Sequence, residues 1–145
     1  MLLHSIGQIY KPWATNPWIE KYIFPGGYIP APSEVFPLVE SARLLVKDVE
    51  ILPMHYAWTL RAWRQRFLAR REEAVKLFDE RFFRMWEFYL AASEAAFLHD
   101  KHFIFQLQLS PSLEAVPFAR GYIEAKEREL MEFEKTRPPL EPVDI

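Results

Sequence analysis

The sequence predicts an α/β fold, and three observations lead to this prediction. Two short runs, Leu2–Ile6 and Val46–Leu52, have strand character and end at Gly7 and Pro53. Phe103–Leu109 alternates with a period of two, as a strand with one wetter face does. Helical spacing of apolar residues fills most of the sequence between these runs. Because the first run is apolar and opens the chain, we expect a buried strand there, in the second half of a larger sheet domain.

An aromatic, proline-rich insertion follows the first strand and covers about residues 11–32. Asn16 is placed to cap a short helix with Pro17 at its first position. Phe24–Pro30 cannot continue that helix, because two prolines and a glycine pair interrupt it. Two interpretations stay open for the insertion, a satellite hydrophobic cluster or a wall for an apolar ligand. Under the second interpretation the candidate binding residues are Trp13, Trp18, Tyr22, Phe24 and Tyr28.

The next helix is predicted to begin at Ser33 and Glu34 and to run to about Leu45. Pro37 must then lie in its first turn, where a missing N–H is tolerated.

The proline-free centre predicts two long helices. The first runs to about Phe78 and has an apolar face made of Tyr56, Leu60, Trp63 and Phe67. Its other face carries Arg61, Arg64, Arg70 and Arg71. That face is either solvated, with Glu72 and Glu73 partly cancelling its charge, or a contact for anionic lipid headgroups. The second helix is capped by Asp79 and ends near Asp100.

The character of the sequence changes after residue 110. Glu114–Lys135 has a charged helical pattern with a thin apolar stripe, and Arg137 with two prolines stops it. We therefore divide the chain into residues 1–110 and a charged helix with a proline-rich tail, residues 111–145.

Composition narrows the classes of function. The chain has 145 residues and no cysteine, so a thiol nucleophile and a thiolate metal site are excluded. Its net charge of −2 gives no support for binding to nucleic acid. His55, His99 and His102 lack metal-ligand spacing and are interpreted as surface or strand-end residues, so no metal is predicted. The expected location is the cytoplasm, with contact at the inner membrane face left open.

Four ordered blocks of sequence together point to one family. They are LLHSIG from Leu2, NPWIEKYIFPGGYIP from Asn16, HYAWTLRAW from His55 and DERFFRMWEFYL from Asp79. In this order they resemble the cyclopropane-fatty-acyl-phospholipid synthases and mycolic acid cyclopropane synthases, class I methyltransferases that use S-adenosylmethionine. The resemblance covers about Leu2 to Gln108. It implies the C-terminal half of a doubly wound methyltransferase fold that lacks the N-terminal cofactor-binding strands.

The resemblance also implies an activity and a set of site residues. In this family a one-carbon unit moves from S-adenosylmethionine to the double bond of an unsaturated phospholipid acyl chain, and a bound bicarbonate accepts the proton lost on ring closure. His4 and Tyr56 match residues that hold this anion, and Ile6 matches the position whose main chain completes the site. Taken alone, His4 is more often a structural strand-end residue and Tyr56 more often core.

The chain has no GxGxxG-like turn after a strand, so no residue of it is assigned to S-adenosylmethionine and the isolated chain is expected to bind no cofactor. Three interpretations stay open. The chain is the C-terminal part of a synthase that acts only with an N-terminal half, a non-enzymatic module that binds lipid or another protein, or a subunit that docks to a complete paralogue. The expected partners are therefore that half or paralogue and a phospholipid acyl chain, without nucleic acid.

Overall fold

The computed structural model describes residues 1–8 and 13–137 of the chain. The residues form two compact units, Met1–Pro111 and Ser112–Ile145. In the first unit the strands are β1 (Leu2–Gln8), β2 (Trp13–Ala14), β3 (Tyr28–Ile29), β4 (Leu45–Leu52) and β5 (His102–Ser110). Its helices are α1 (Pro17–Tyr22), α2 (Pro32–Ser41), α3 (His55–Ala69), α4 (Arg71–Leu77) and α5 (Glu80–His99). The prediction of an α/β fold is confirmed.

The main sheet has the strand order β1-β5-β4, and β5 runs antiparallel to both neighbours. Since β5 lies in the middle, most of its side chains are buried whichever face they take. Phe105 and Leu107 on one face have no exposed surface and pack with α2, through Val39. Ile104 on the other face packs with α3 and α5, through Leu60 and other apolar residues. The sheet is therefore covered by helices on both faces.

The expectation that β1 is a buried strand is wrong. Leu2 and His4 are exposed, and only Gly7 is fully buried along this strand. Among the described residues β1 is paired along one edge alone, by β5, with Leu2 opposite Gln108 and Gln8 opposite His102. An apolar run therefore indicated a strand correctly but not its burial, because burial depends on what pairs with and covers the strand.

Two helix predictions need correction. α2 ends at Ser41, not near Leu45, because the chain turns through Arg43 with a φ of 55°. Pro37 lies inside this helix, past its first turn. The helix predicted to reach Phe78 is two helices, α3 and α4, because the backbone at Arg70 leaves the helical region.

Local signals for helix starts are confirmed in two places. The side chain of Asn16 accepts a hydrogen bond from the Trp18 N–H at 2.9 Å, with Pro17 at the first helical position. Asp79 accepts one from the Phe82 N–H at 2.6 Å at the start of α5. Phe24–Pro30 is non-helical, as predicted, and contains β3, which pairs with β2 in a small ribbon that the sequence did not reveal. Pro12 lies outside the described residues.

The second unit contains one helix among the residues described, α6 (Tyr122–Thr136). It begins eight residues later than the charged pattern predicted from Glu114, and it ends just before Arg137, as expected. Within residues 1–8 and 13–137, no helix combines the length and the apolar character that crossing a bilayer requires.

Candidate functional site

One cleft of about 1690 Å³ lies in the first unit between the sheet and the aromatic insertion. Its lining comes from β1 and β5, which we call the strand wall, from α1 and the loop that follows it, which we call the aromatic wall, and from α5. Three of its residues are the predicted catalytic set, His4, Ile6 and Tyr56. The structure thus brings together side chains that are 50 or more positions apart in the sequence.

The strand wall follows from the register of β1 with β5. Residues that alternate along β1 share a face, and each lies directly opposite a residue of β5 on that face. The cross-strand pairs are His4 with Gln106, Ile6 with Ile104, and Gln8 with His102. This wall therefore has a polar pair at each end and an apolar pair between them.

His4 is held by a side chain that the sequence analysis did not select. The Gln106 amide nitrogen lies 3.1 Å from His4 Nδ1. An amide NH2 group can only donate, so Nδ1 is the acceptor in this contact and Nε2 is left as the N–H donor of the ring. The exposed ring of His4 then has an N–H donor free for a second group. The polar positions of the alternating strand were the available signal for Gln106.

Tyr56 lies in the first turn of α3 and is partly buried in the core. Its ring makes edge contacts with Phe97 at 5.0 Å and Trp63 at 5.8 Å between centroids. Burial raises the pKa of its hydroxyl above the usual value, so the group stays protonated and can donate a hydrogen bond. The expectation that Tyr56 packs as core and the expectation that it reaches the site are therefore compatible.

Tyr89 of α5 is a second phenol in the cleft, and it was not among the residues predicted for the site. Its pKa is raised, first by burial and then by the charge that Tyr56 would carry, while a hydrogen bond with Ser93 lowers it. The effect of the Tyr56 charge on Tyr89 indicates that the two phenols lie near each other in the cleft.

The aromatic wall contains three of the five predicted binding residues, Trp18, Phe24 and Tyr28. Trp18 packs on Phe88 of α5 at 4.7 Å between centroids, and Phe24 packs on Tyr89 at 5.9 Å. The Tyr28 hydroxyl donates to Glu34 Oε1 at 2.6 Å.

The other two predicted binding residues are Tyr22 and Trp13. Tyr22 is not among the residues that line the cleft. It is 41% exposed, and its ring contacts Trp18. Trp13 belongs to β2, and its side chain lies outside the described part of the structure.

The histidines left over by the sequence analysis separate into two groups. His55 is exposed at the start of α3 and contacts Trp58. His99 and His102 lie at the edge of the cleft, at the end of α5 and the start of β5. Over residues 1–8 and 13–137, no three histidine or carboxylate side chains are close enough together to ligate a metal ion.

The arginine face of α3 and α4 is largely paired with α5. Arg61 Nε lies 2.7 Å from Glu94 Oε1, Arg64 Nε lies 3.9 Å from Glu94 Oε2, and Arg71 pairs with Glu80 at 2.6 Å. The cancelling carboxylates are therefore those of α5 rather than Glu72 and Glu73. This arrangement favours the interpretation of a solvated face with partly cancelled charge over contact with lipid headgroups.

The glycines of the chain are not arranged as a nucleotide-binding turn. Its four glycines are Gly7 inside β1, Gly26 and Gly27 in the turn after α1, and Gly121 before α6. The Gly27 N–H donates to the Phe24 carbonyl at 2.9 Å, so the glycine pair forms a tight turn. None of them forms the glycine-rich turn from a strand into a helix that cradles a nucleotide.

Comparison with known proteins shows the family. The family model for mycolic acid cyclopropane synthetase matches residues 1–107. The chain belongs to this family. It is 49% identical over 85 residues to the tuberculostearic acid methyltransferase UfaA1 of Mycobacterium tuberculosis, an alignment that covers 57% of this chain and 20% of the relative. It is 38% identical over 96 residues to the cyclopropane-fatty-acyl-phospholipid synthase of Escherichia coli K12, covering 66% of this chain and 25% of the relative.

Solved structures of this cyclopropane synthase family agree with the fold. The mycolic acid cyclopropane synthase CmaA1, complexed with SAH and CTAB, superposes with a TM-score of 0.67 at 25% identity. That superposition covers 75% of this chain and 43% of the other. MmaA2 from Mycobacterium tuberculosis gives a TM-score of 0.68 at 23% identity and supports the fold alone. The prediction of a partial methyltransferase-like fold is confirmed. The chain spans between 20% and 25% of the length of the two curated relatives described above.

Proposed function

We propose that this chain provides the acyl-chain wall and part of the proton-accepting centre of a cyclopropane-fatty-acyl-phospholipid synthase. The proposed reaction transfers a one-carbon unit from S-adenosylmethionine to the double bond of an unsaturated phospholipid acyl chain. One observation carries the proposal. The three positions that resemble the family's anion-holding residues, His4, Ile6 and Tyr56, line the same cleft as the aromatic wall.

The polar residues of the cleft fit a small anion better than they fit a substrate headgroup. His4 offers the N–H of Nε2 because Gln106 occupies Nδ1, and Tyr56 offers a hydroxyl whose pKa is raised. Both groups can donate a hydrogen bond to a bound anion. Bicarbonate, when bound, would accept the proton that the substrate loses as the ring closes. His4 and Tyr56 would hold and orient that acceptor, and Ile6 would present its main chain beside it.

The aromatic wall fits an acyl chain. Trp18, Phe24 and Phe88 contribute large apolar surfaces, and Trp18 and Phe24 are fixed by edge contacts with α5. Such a wall would exclude water from the double bond and hold it at the level of His4.

The residues that bind S-adenosylmethionine would come from a second segment, because the chain has no glycine-rich nucleotide turn. We accordingly propose that the 145 residues alone do not form rings and that they act with the segment that carries this turn. The second segment would be an N-terminal synthase half or a complete paralogue.

A mixing experiment tests the proposal. The chain is incubated with vesicles of unsaturated phospholipid and S-adenosylmethionine, with and without the Escherichia coli synthase truncated before the region that this chain matches. Ring formation, followed by mass spectrometry of the fatty acids, is expected only in the mixture. The truncated synthase alone is the control. Rings formed by the chain alone would refute the need for a second segment. A mixture that stays inactive, with a chain that binds no acyl lipid, would refute the proposed function.

A further inference from the structure

The far end of the strand wall contains two buried polar atoms without a hydrogen-bond partner, Gln8 Oε1 and His102 Nδ1. Gln8 and His102 are direct cross-strand partners in the register of β1 with β5, so their side chains leave the sheet on the same face. Both residues line the cleft. Two neighbouring buried polar atoms that are both unpaired are costly, because each has lost its water without gaining a partner.

We propose that Gln8 and His102 form a subsite that binds a hydroxyl group of a lipid lying in the cleft. A hydroxyl both donates and accepts a hydrogen bond. It can therefore donate to the Gln8 amide oxygen while it accepts from the N–H of His102 Nδ1. A carbonyl or ether oxygen can only accept and would leave the Gln8 oxygen unpaired. This inference rests on the proposed function, since it takes the cleft to be a lipid site.

The subsite lies at a defined distance from the proposed reacting centre. His4 and Gln8 are four residues apart on one strand, which separates their positions by about 13 Å at about 3.3 Å per residue. A saturated chain advances about 1.3 Å per carbon, as its bond lengths and angles require, so this distance corresponds to about ten carbons. The subsite would therefore select lipids whose double bond lies about ten carbons from a hydroxyl.

The test compares oleyl alcohol with its methyl ether, which keeps the chain and the oxygen but has no donor. Each is titrated against the chain in displacement of a fluorescent fatty-acid probe, below the critical micelle concentration. The alcohol is expected to bind about fivefold to thirtyfold more tightly than the ether, the range for one buried hydrogen bond. Monoolein, whose hydroxyls lie about ten atoms along the chain from the double bond, should bind like the alcohol, whereas methyl ricinoleate, whose hydroxyl lies only about two carbons from the double bond, should bind like the ether.

Two variants remove the subsite, Gln8→Leu and His102→Phe, and each should abolish the preference for the alcohol. Gln65→Leu and His55→Phe are the matched controls, because both residues are exposed and neither lines the cleft. In thermal unfolding without lipid, the two subsite variants should melt at the parental temperature or above it, since each replaces an unpaired buried polar atom with an apolar one.

Three results would overturn the inference. Equal affinity for alcohol and ether, with lipid still bound, would show that the cleft binds acyl chains without a hydroxyl subsite and would leave the proposed function standing. If the two subsite variants melt well below the controls, Gln8 and His102 stabilise the folded state instead of binding a ligand. Binding of none of the four lipids would overturn both the subsite and the lipid cleft.

Discussion

Gly7→Ala is expected to destabilise the first unit, because the position has no room for a side chain. A Cβ at Gly7 would lie 2.9 Å from both Cδ1 and Cε1 of Phe105 and 3.0 Å from Cζ of Phe103. Phe105 has no exposed surface, so its ring cannot swing away into solvent. Over-packing of this kind costs about 1 to 3 kcal/mol of unfolding free energy. In a unit near 100 residues, this lowers the melting temperature by about 4 to 20 °C.

Thermal unfolding followed by circular dichroism measures the effect, and Gly121→Ala is the matched control. A Cβ at Gly121 meets no atom within 4 Å, and its φ is −57°, so alanine fits there without strain. The control should melt within about 2 °C of the parent. Because β1 also carries His4, Gly7→Ala should reduce ring formation in the mixed reaction. A Gly7→Ala variant that melts with the control would refute the close packing of β1 on Phe105.

Three further predictions follow from the site and its support. His4→Ala and Tyr56→Phe should each slow ring formation in the mixed reaction by about tenfold to a hundredfold, with unchanged melting, because each removes one donor to a buried anion; parental rates in folded variants would refute their role. Glu94→Gln should lower the unfolding free energy, measured in urea, by about 1 to 2 kcal/mol, because Glu94 is 8% exposed and pairs at 2.7 Å with the half-exposed Arg61. An effect below about 0.5 kcal/mol, the usual limit for surface substitutions, would contradict the pairing. Tyr56 and Tyr89 should titrate above pH 10 in ultraviolet absorbance, because burial raises the pKa of both hydroxyls. Since the folded state favours the protonated phenols, stability should fall as pH rises from about 10 through their folded pKa values, and titration at the pH of a free tyrosine would contradict their burial.

Helix starts and strand positions could be predicted from the sequence because their signals are local. Asn16 and Asp79 cap helices through atoms two or three residues away, and the alternation of Phe103–Leu109 identified β5. Such contacts depend on neighbours in the chain and survive in almost any tertiary setting.

The rest depended on contacts between distant residues. Gln106 could not be assigned to His4 before the register of β1 with β5 was known, since the two residues are 102 positions apart. The exposure of β1 likewise depends on which strands pair with it and which elements pack on it, and no local sequence pattern indicates either. The helix break at Arg70 has neither glycine nor proline as a signal, and it lies where α4 begins its own packing against α5.

The position of β5 in the middle of the sheet has a consequence for how the protein folds during synthesis. β1 and β4 do not pair with each other, and each is paired with β5, which ends at Ser110. β1 and β4 leave the ribosome before β5 is complete, and until then they lack this partner. α3 and α5 can associate earlier, because they are close together in the sequence. The non-local pairing of Leu2 with Gln108 makes sheet assembly slow and late. We therefore expect the nascent chain to pass through a stage in which the helices have associated while β1 and β4 still lack β5, and in which it is most exposed to aggregation and to chaperone binding.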